Sequence, residues 1–144
     1  MNLEISLVPI GNIASVIPGL LPHLAKSEVW ARGRCSVDDI LRFVLNGQMQ
    51  LWVVFSAEEQ LVYGHVITEV KPYPNCKMLV VQYCAGEENH MQFVEDKMYA
   101  LLDKFAKETG CAGIELIGRP GWGKHVKKRG FEVQSVMYQK FFKE

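Results

Sequence analysis

Alternation is the first pattern along the chain. Leu3, Ile5 and Leu7 alternate with Glu4 and Ser6, which predicts a half-buried strand ended by Pro9 and Gly11. Apolar positions then switch to helical spacing over 12–26, through Ile13, Val16, Ile17, Leu20, Leu21 and Leu24. Pro18 and Pro22 are expected to break that stretch into short or kinked pieces. Ser36 precedes Val37-Asp38-Asp39-Ile40 as an N-cap with acidic residues in the first turn. The helix it opens has an apolar face of Val37, Ile40, Leu41, Val44 and Leu45, and Asn46-Gly47 stops it.

Three strands are predicted next: Gln50–Ser56, Leu61–Val70 and Met78–Cys84. Ala57-Glu58-Glu59-Gln60 and Lys71-Pro72-Tyr73-Pro74-Asn75 form the turns between them. The third strand is nearly all apolar, as a central strand covered on both faces would be. Asn89–Thr109 reads as the longest helix, with Met91, Val94, Met98, Leu101, Leu102 and Phe105 at three- and four-residue spacing and Gly110 as its stop. A short strand (Ala112–Ile117), a short basic helix (Trp122–Arg129) and a last strand (Phe131–Phe142) complete the chain. The expectation is a mixed α/β domain over 1–144, with about six strands in the order β-α-α-β-β-β-α-β-α-β. The crossover through the long helix makes its two flanking strands parallel, and helices cover both faces of the sheet.

Composition changes this picture little. The 16 basic and 16 acidic residues cancel, which argues against a general nucleic-acid binder. No apolar run approaches a membrane span, and no basic segment followed by an apolar one marks a secretory signal, so no membrane partner and a cytoplasmic setting are expected. Cys35, Cys76, Cys84 and Cys111 lack CxxC spacing and read as reduced thiols. Cys84 and His90 have no second ligand pair, so no metal is expected.

Candidate chemistry gathers at two places. Cys84-Ala85-Gly86-Glu87-Glu88-Asn89-His90 joins the apolar strand to the long helix. Gly118-Arg119-Pro120-Gly121-Trp122-Gly123-Lys124 leads to Lys128 and Gly130-Phe131. With the element order, these stretches resemble the GNAT (N-acetyltransferase) superfamily. The resemblance implies acetyl-CoA or CoA as cofactor, held between the fourth and fifth strands by Val81, Tyr83, Cys84, Ala85, Gly86 and Asn89, with Arg119 and Trp122 nearby. Family members carry an R/Q-x-x-G-x-G/A loop whose amides hold a pyrophosphate. This chain has one glycine there, no arginine, and the carboxylates of Glu87 and Glu88. Many members also read N-x-x-A-x-x-L-Y-x-K-x-G-F before the last strand, with the tyrosine as general acid. Aligned on Gly130-Phe131, that position is Val126, which donates no proton. The adjacent His125 is the candidate substitute.

For a general base, Glu115 stands inside an apolar strand, and Glu69 shares a strand face with His65 by the two-residue period. Cys84-Ala85-Gly86 and the Gly118–Phe131 stretch also look like small GNAT-like proteins of tailed phages and prophages. Three functions stay open. One is an acyltransferase acting on an amine. Another is a non-catalytic module in virion assembly or host-factor binding, through Trp122 and the basic helix. The third is a nucleic-acid module using that helix.

Overall fold

The structure is a computed structural model describing residues 2–87, 90–118 and 120–142. Five strands form one sheet in the order β1-β2-β3-β4-β5: β1 (Glu4–Leu7), β2 (Gln50–Ser56), β3 (Leu61–Pro72), β4 (Lys77–Gly86) and β5 (Gly113–Leu116). The first four pair antiparallel, and β4 pairs parallel with β5. Among the described residues four α-helices accompany them: α1 (Ile13–Ala31), α2 (Val37–Leu45), α3 (Glu95–Glu108) and α4 (Gly123–Lys127).

Alternation along the strands divides the core in two. Trp52, Val54, Val66, Leu79 and Val81 point to one face and pack on Met98, Tyr99, Leu102 and Ala106 of α3. Leu51, Val53 and Ile67 point to the other and pack on Ile13, Leu20 and Leu24 of α1 and Ile40 and Val44 of α2. Each such side chain removed from water contributes about 1.5–3 kcal/mol, and the two layers clamp the sheet from both sides. Ser36 caps α2 through a reciprocal box: its Oγ accepts from the Asp39 N–H at 3.1 Å, and its own N–H donates to Asp39 Oδ2 at 3.0 Å.

Two expectations are corrected. First, the prolines do not cut the stretch into short pieces: α1 is one helix of 19 residues that contains Pro18 and Pro22. Both prolines are exposed and lie four residues apart on the solvent side. The carbonyls they deprive of partners, at Ala14 and Pro18, belong to exposed residues that water reaches, while Ile13, Leu20 and Leu24 hold the inner side. Second, 131–142 joins no sheet, so the described residues contain five strands rather than six. Strand propensity expresses itself only beside a partner strand, and this segment has none among the described residues.

Candidate active site

A single extra residue in β4 shapes the site. Val81 lies opposite Thr68 and Tyr83 opposite Ile67, which leaves Gln82 as a bulge between them. The bulge reverses the alternation. Leu79, Val81 and Cys84 belong to the α3 face, whereas Tyr83 joins the α1/α2 face. Beyond it β4 departs from β5. The register ends with Val81 beside Leu116, and the Ile117 N–H reaches back to the Val81 carbonyl at 3.5 Å. From Gln82 to Gly86, β4 remains paired with β3 but has no strand on the β5 side among the described residues. The result is a stretch of β4 backbone whose amides and carbonyls face no strand on the β5 side among the described residues.

Both predicted carboxylates face one way. Glu69 of β3 lies opposite Val80 of β4, which lies beside Glu115 of β5. The two glutamates thus occupy one row across the sheet, their backbones about 10 Å apart at two strand spacings. Ile114 and Leu116 pack on the α3 side, so Glu115 faces α1 and α2, as Glu69 does. Gln82 Nε2 donates to Glu69 Oε1 at 3.1 Å and Gln48 Nε2 to Glu69 Oε2 at 3.3 Å. Tyr73 donates its hydroxyl to Glu115 Oε2 at 3.0 Å, which holds the phenol proton more tightly than usual. Sequence reasoning missed Gln82 and Tyr73. A polar residue in the apolar run 78–84 was the available signal for Gln82, and a turn tyrosine next to prolines gave none.

His65 shares the face of Glu69, as expected, but α1 seals it. Its Nε2 lies 2.9 Å from Ser27 Oγ, and it is fully buried beside His23. Burial first, and the charge of His23 second, push the His65 pKa down to about 3. Burial is also the main cause lowering His23, where Lys26 acts in the same direction and the Val62 carbonyl and Glu87 oppose. Nδ1 of both rings is buried without a hydrogen-bond partner among the described residues. Ser27 and His65 therefore form a buried polar contact between α1 and β3, closed to substrate. Lys26 donates to the Gly86 carbonyl at 2.9 Å and ties α1 to the end of β4.

The remaining predicted residues fall at different places. Val81 is buried on the α3 face at the last β5 register position. Tyr83 is half-buried at the start of the cleft, and burial, then a hydrogen bond with Cys35, raises its phenol pKa. Cys84 and Ala85 continue the edge. Gly86 is required by packing: a Cβ there would stand 2.6 Å from Met91 Sδ and 2.9 Å from the Tyr63 carbonyl. Trp122 is half-buried against Gly118, two residues past the end of β5, where a Cβ would meet the indole at 2.8 Å. Asn89, Arg119 and Glu88 lie outside the described residues.

His125 is exposed on α4. The chain after α4 is fastened on the α3 side: Arg129 pairs with Asp96 at 2.6 Å and Phe131 packs on Tyr99 with ring centroids 5.9 Å apart. Arg129 and Phe131 are thus tied to the side opposite the two glutamates. The start of α3 carries Glu95 and Asp96, and the cation beside them, Arg129, is engaged by Asp96 and by the Tyr99 ring at 4.8 Å. An open groove of about 470 Å³, lined by Val8, Asn12, Val16, Phe55 and Val62, lies towards the β1 edge and brings none of these residues together.

No family model matches the sequence, and no curated protein matches it. Solved structures do match the fold. An acetyltransferase of Trypanosoma brucei superposes with a TM-score of 0.71 at 11% identity, over 98% of this chain and 100% of that one. A ribosomal-protein-alanine N-acetyltransferase of Brucella melitensis biovar Abortus 2308 gives 0.68 at 16% identity, over 99% and 100%. A transcriptional regulator of Bacillus halodurans C-125 gives 0.71 at 17%, over 98% and 100%. The fold is therefore GNAT-like and mixed α/β. At these identities the likeness concerns fold alone, and the chemistry has to be argued from the cleft.

Proposed function

We propose that this protein is an acyl-CoA-dependent N-acyltransferase. The observation that carries the reading is the bulge at Gln82, which opens β4 from β5 beside a row containing Glu69 and Glu115. The backbone edge from Gln82 to Gly86 fits the amide-bearing arm of acyl-CoA, which would lie along it as an added strand does. The cofactor would supply an acyl group activated as a thioester.

An amine substrate would approach from the α1/α2 face. There Glu69 or Glu115 would accept its proton, directly or through a water. Gln82 and Gln48 orient the first carboxylate, and Tyr73 orients the second. Positioning contributes most to such a reaction. For the acid, Tyr83 at the start of the β4 edge would be a second candidate beside His125, although burial raises its phenol pKa and so makes it a weaker proton donor. The other end of the cofactor finds less. Glu95 and Asp96 occupy the start of α3, and Arg129 is already paired there. Affinity on this reading comes chiefly from the β4 edge.

The test is calorimetric titration with acetyl-CoA, followed by transfer to a panel of primary amines. Saturable binding and transfer that falls in Glu69→Gln or Glu115→Gln support the reading. Absence of binding at millimolar acetyl-CoA refutes it and favours a GNAT-like scaffold used for protein contacts, the setting in which a phage or virion role would be pursued.

A further inference from the structure

α4 bridges the two places between which the open stretch of β4 runs. At its front, Trp122 precedes the helix and lies against Gly118, and the neighbouring Ile117 N–H reaches the Val81 carbonyl where that stretch begins. Behind the helix, Arg129 pairs with Asp96 and stands 3.8 Å from Glu95 at the start of α3. The outward side of α4 is basic. Lys124, Lys127 and Lys128 recur at i, i+3 and i+4, so they share one face, and all three are exposed, as is His125 beside them. Five of the chain's 16 cationic side chains and none of its 16 acidic ones fall within 116–131. Among the described residues no carboxylate pairs with these three lysines.

Beside this basic face, the ground where a nucleotide would lie is acidic. Glu87 follows β4 and is exposed, and Glu95 and Asp96 begin α3. Arg129 next to them is engaged by Asp96 and by the Tyr99 ring. A nucleotide carrying a diphosphate and a further phosphate meets like charges there. The β4 edge raises no such conflict, because it offers amides and carbonyls to a neutral, amide-bearing arm. The chain thus suits one end of acyl-CoA and opposes the other. The same thioester-bearing arm also occurs as phosphopantetheine on carrier proteins. There it ends on an acidic protein surface instead of a nucleotide, and an acidic surface is what three lysines on one helix face complement.

We propose that the acyl donor is presented by an acidic carrier protein, which docks on Lys124, Lys127 and Lys128 and lays its phosphopantetheine arm along Gln82–Gly86. This rests on the acyl-transfer reading, since the arm uses the same β4 edge; acetyl-CoA is then a smaller donor bearing the same arm. The reaction is unchanged in its balance. The amine nitrogen bonds to the thioester carbonyl carbon and the C–S bond breaks. The arm leaves as a thiolate that takes up a proton, and the amine proton passes to Glu69 or Glu115. The lysines touch neither the thioester nor the amine. They hold the carrier and speed its encounter through their charge.

Calorimetric titration of the full chain tests it with four probes: acetyl-pantetheine, acetyl-CoA, an acyl carrier protein acetylated on its arm, and a single-stranded oligonucleotide. The acetylated carrier protein is expected to bind at least about tenfold tighter than acetyl-pantetheine, and to weaken as salt rises from about 50 to about 300 mM. The double variant Lys124→Glu/Lys127→Glu changes two exposed side chains, so its circular dichroism spectrum should be native. It should lose that tenfold advantage while binding acetyl-pantetheine as the wild type does. If acetyl-pantetheine and acetyl-CoA bind but the carrier protein gains nothing, or its gain survives the double variant, the proposal is overturned and the acyl-CoA reading stands. Acetyl-CoA binding more than about tenfold tighter than acetyl-pantetheine likewise overturns it, by showing that the nucleotide is recognised. Oligonucleotide binding that the double variant abolishes, without carrier-protein binding, overturns it in favour of a nucleic-acid face. If none of the three acyl donors binds, the acyl-transfer reading falls together with the proposal.

Discussion

Replacing His65 by glutamine should remove much of the acid sensitivity of this fold. His65 is fully buried against Ser27 and titrates in the native state at about 3, against 6.5 for an unconstrained histidine. Its folded pKa is depressed, so the native ring stays neutral while the unfolded chain takes up a proton below pH 6.5. Stability is therefore complete above about pH 6.5 and falls as the pH drops towards 3. Within that window each pH unit is worth about 1.36 kcal/mol, so going from pH 7 to pH 5 should cost about 2 kcal/mol through this residue alone. His23, also lowered by burial, adds in the same direction. Urea unfolding at several pH values reads the effect. With a denaturant slope of about 1–3 kcal/mol/M, the wild-type midpoint should move by roughly 1 M between pH 7 and 5. His65→Gln keeps a polar partner for Ser27 but has no proton to gain. It should start about 1–3 kcal/mol less stable, from imperfect satisfaction of buried groups, and lose distinctly less on acidification. His125→Gln, at an exposed position, should follow the wild type. Equal pH slopes in His65→Gln and the wild type would refute the account of a neutral histidine sealed beneath α1.

Other expectations can be checked with the same protein. Ser36→Ala removes one side of the α2 capping box and should cost about 1 kcal/mol in urea melts. Gly86→Asp forces a Cβ to 2.6 Å from Met91 Sδ and 2.9 Å from a backbone carbonyl, so its thermal midpoint should fall sharply whether or not cofactor is present. Gly118→Val should displace the Trp122 indole and shift tryptophan emission to the red while leaving secondary structure intact. Because Asp96 already pairs with Arg129, the diphosphate end of the cofactor should add little: acetyl-pantetheine is expected to bind within about tenfold, or 1.4 kcal/mol, of acetyl-CoA by calorimetry.

Local pattern carried the fold a long way. The run Gln50–Ser56 is a strand with those bounds, and Ser36 is the cap expected of it. The parallel pairing of β4 and β5 follows from the long crossover helix between them. What pattern left illegible depends on partners distant in sequence. Two prolines do not interrupt α1, because the sheet holds its inner side and water serves its outer side. The segment 131–142 has strand composition and no strand beside it among the described residues. Within the site, the two-residue period placed His65 and Glu69 on one face correctly, yet it could not anticipate the bulge at Gln82, which turns Tyr83 to the face opposite that of Val81 and Cys84. Nor could it distinguish a histidine sealed under α1 from one facing a cleft. That difference rests on Ser27, thirty-eight positions away.

The central claim is that the bulge at Gln82 opens β4 into an edge that receives an acyl-CoA. Backbone amide chemical shifts followed by NMR during titration with acetyl-CoA test this most directly. The account predicts saturable shifts confined largely to Gln82–Gly86 and to Ile117, Gly118 and Trp122, with little change at the β1 edge. Shifts clustered instead around Val8, Asn12 and Phe55, or none at millimolar acetyl-CoA, would contradict it.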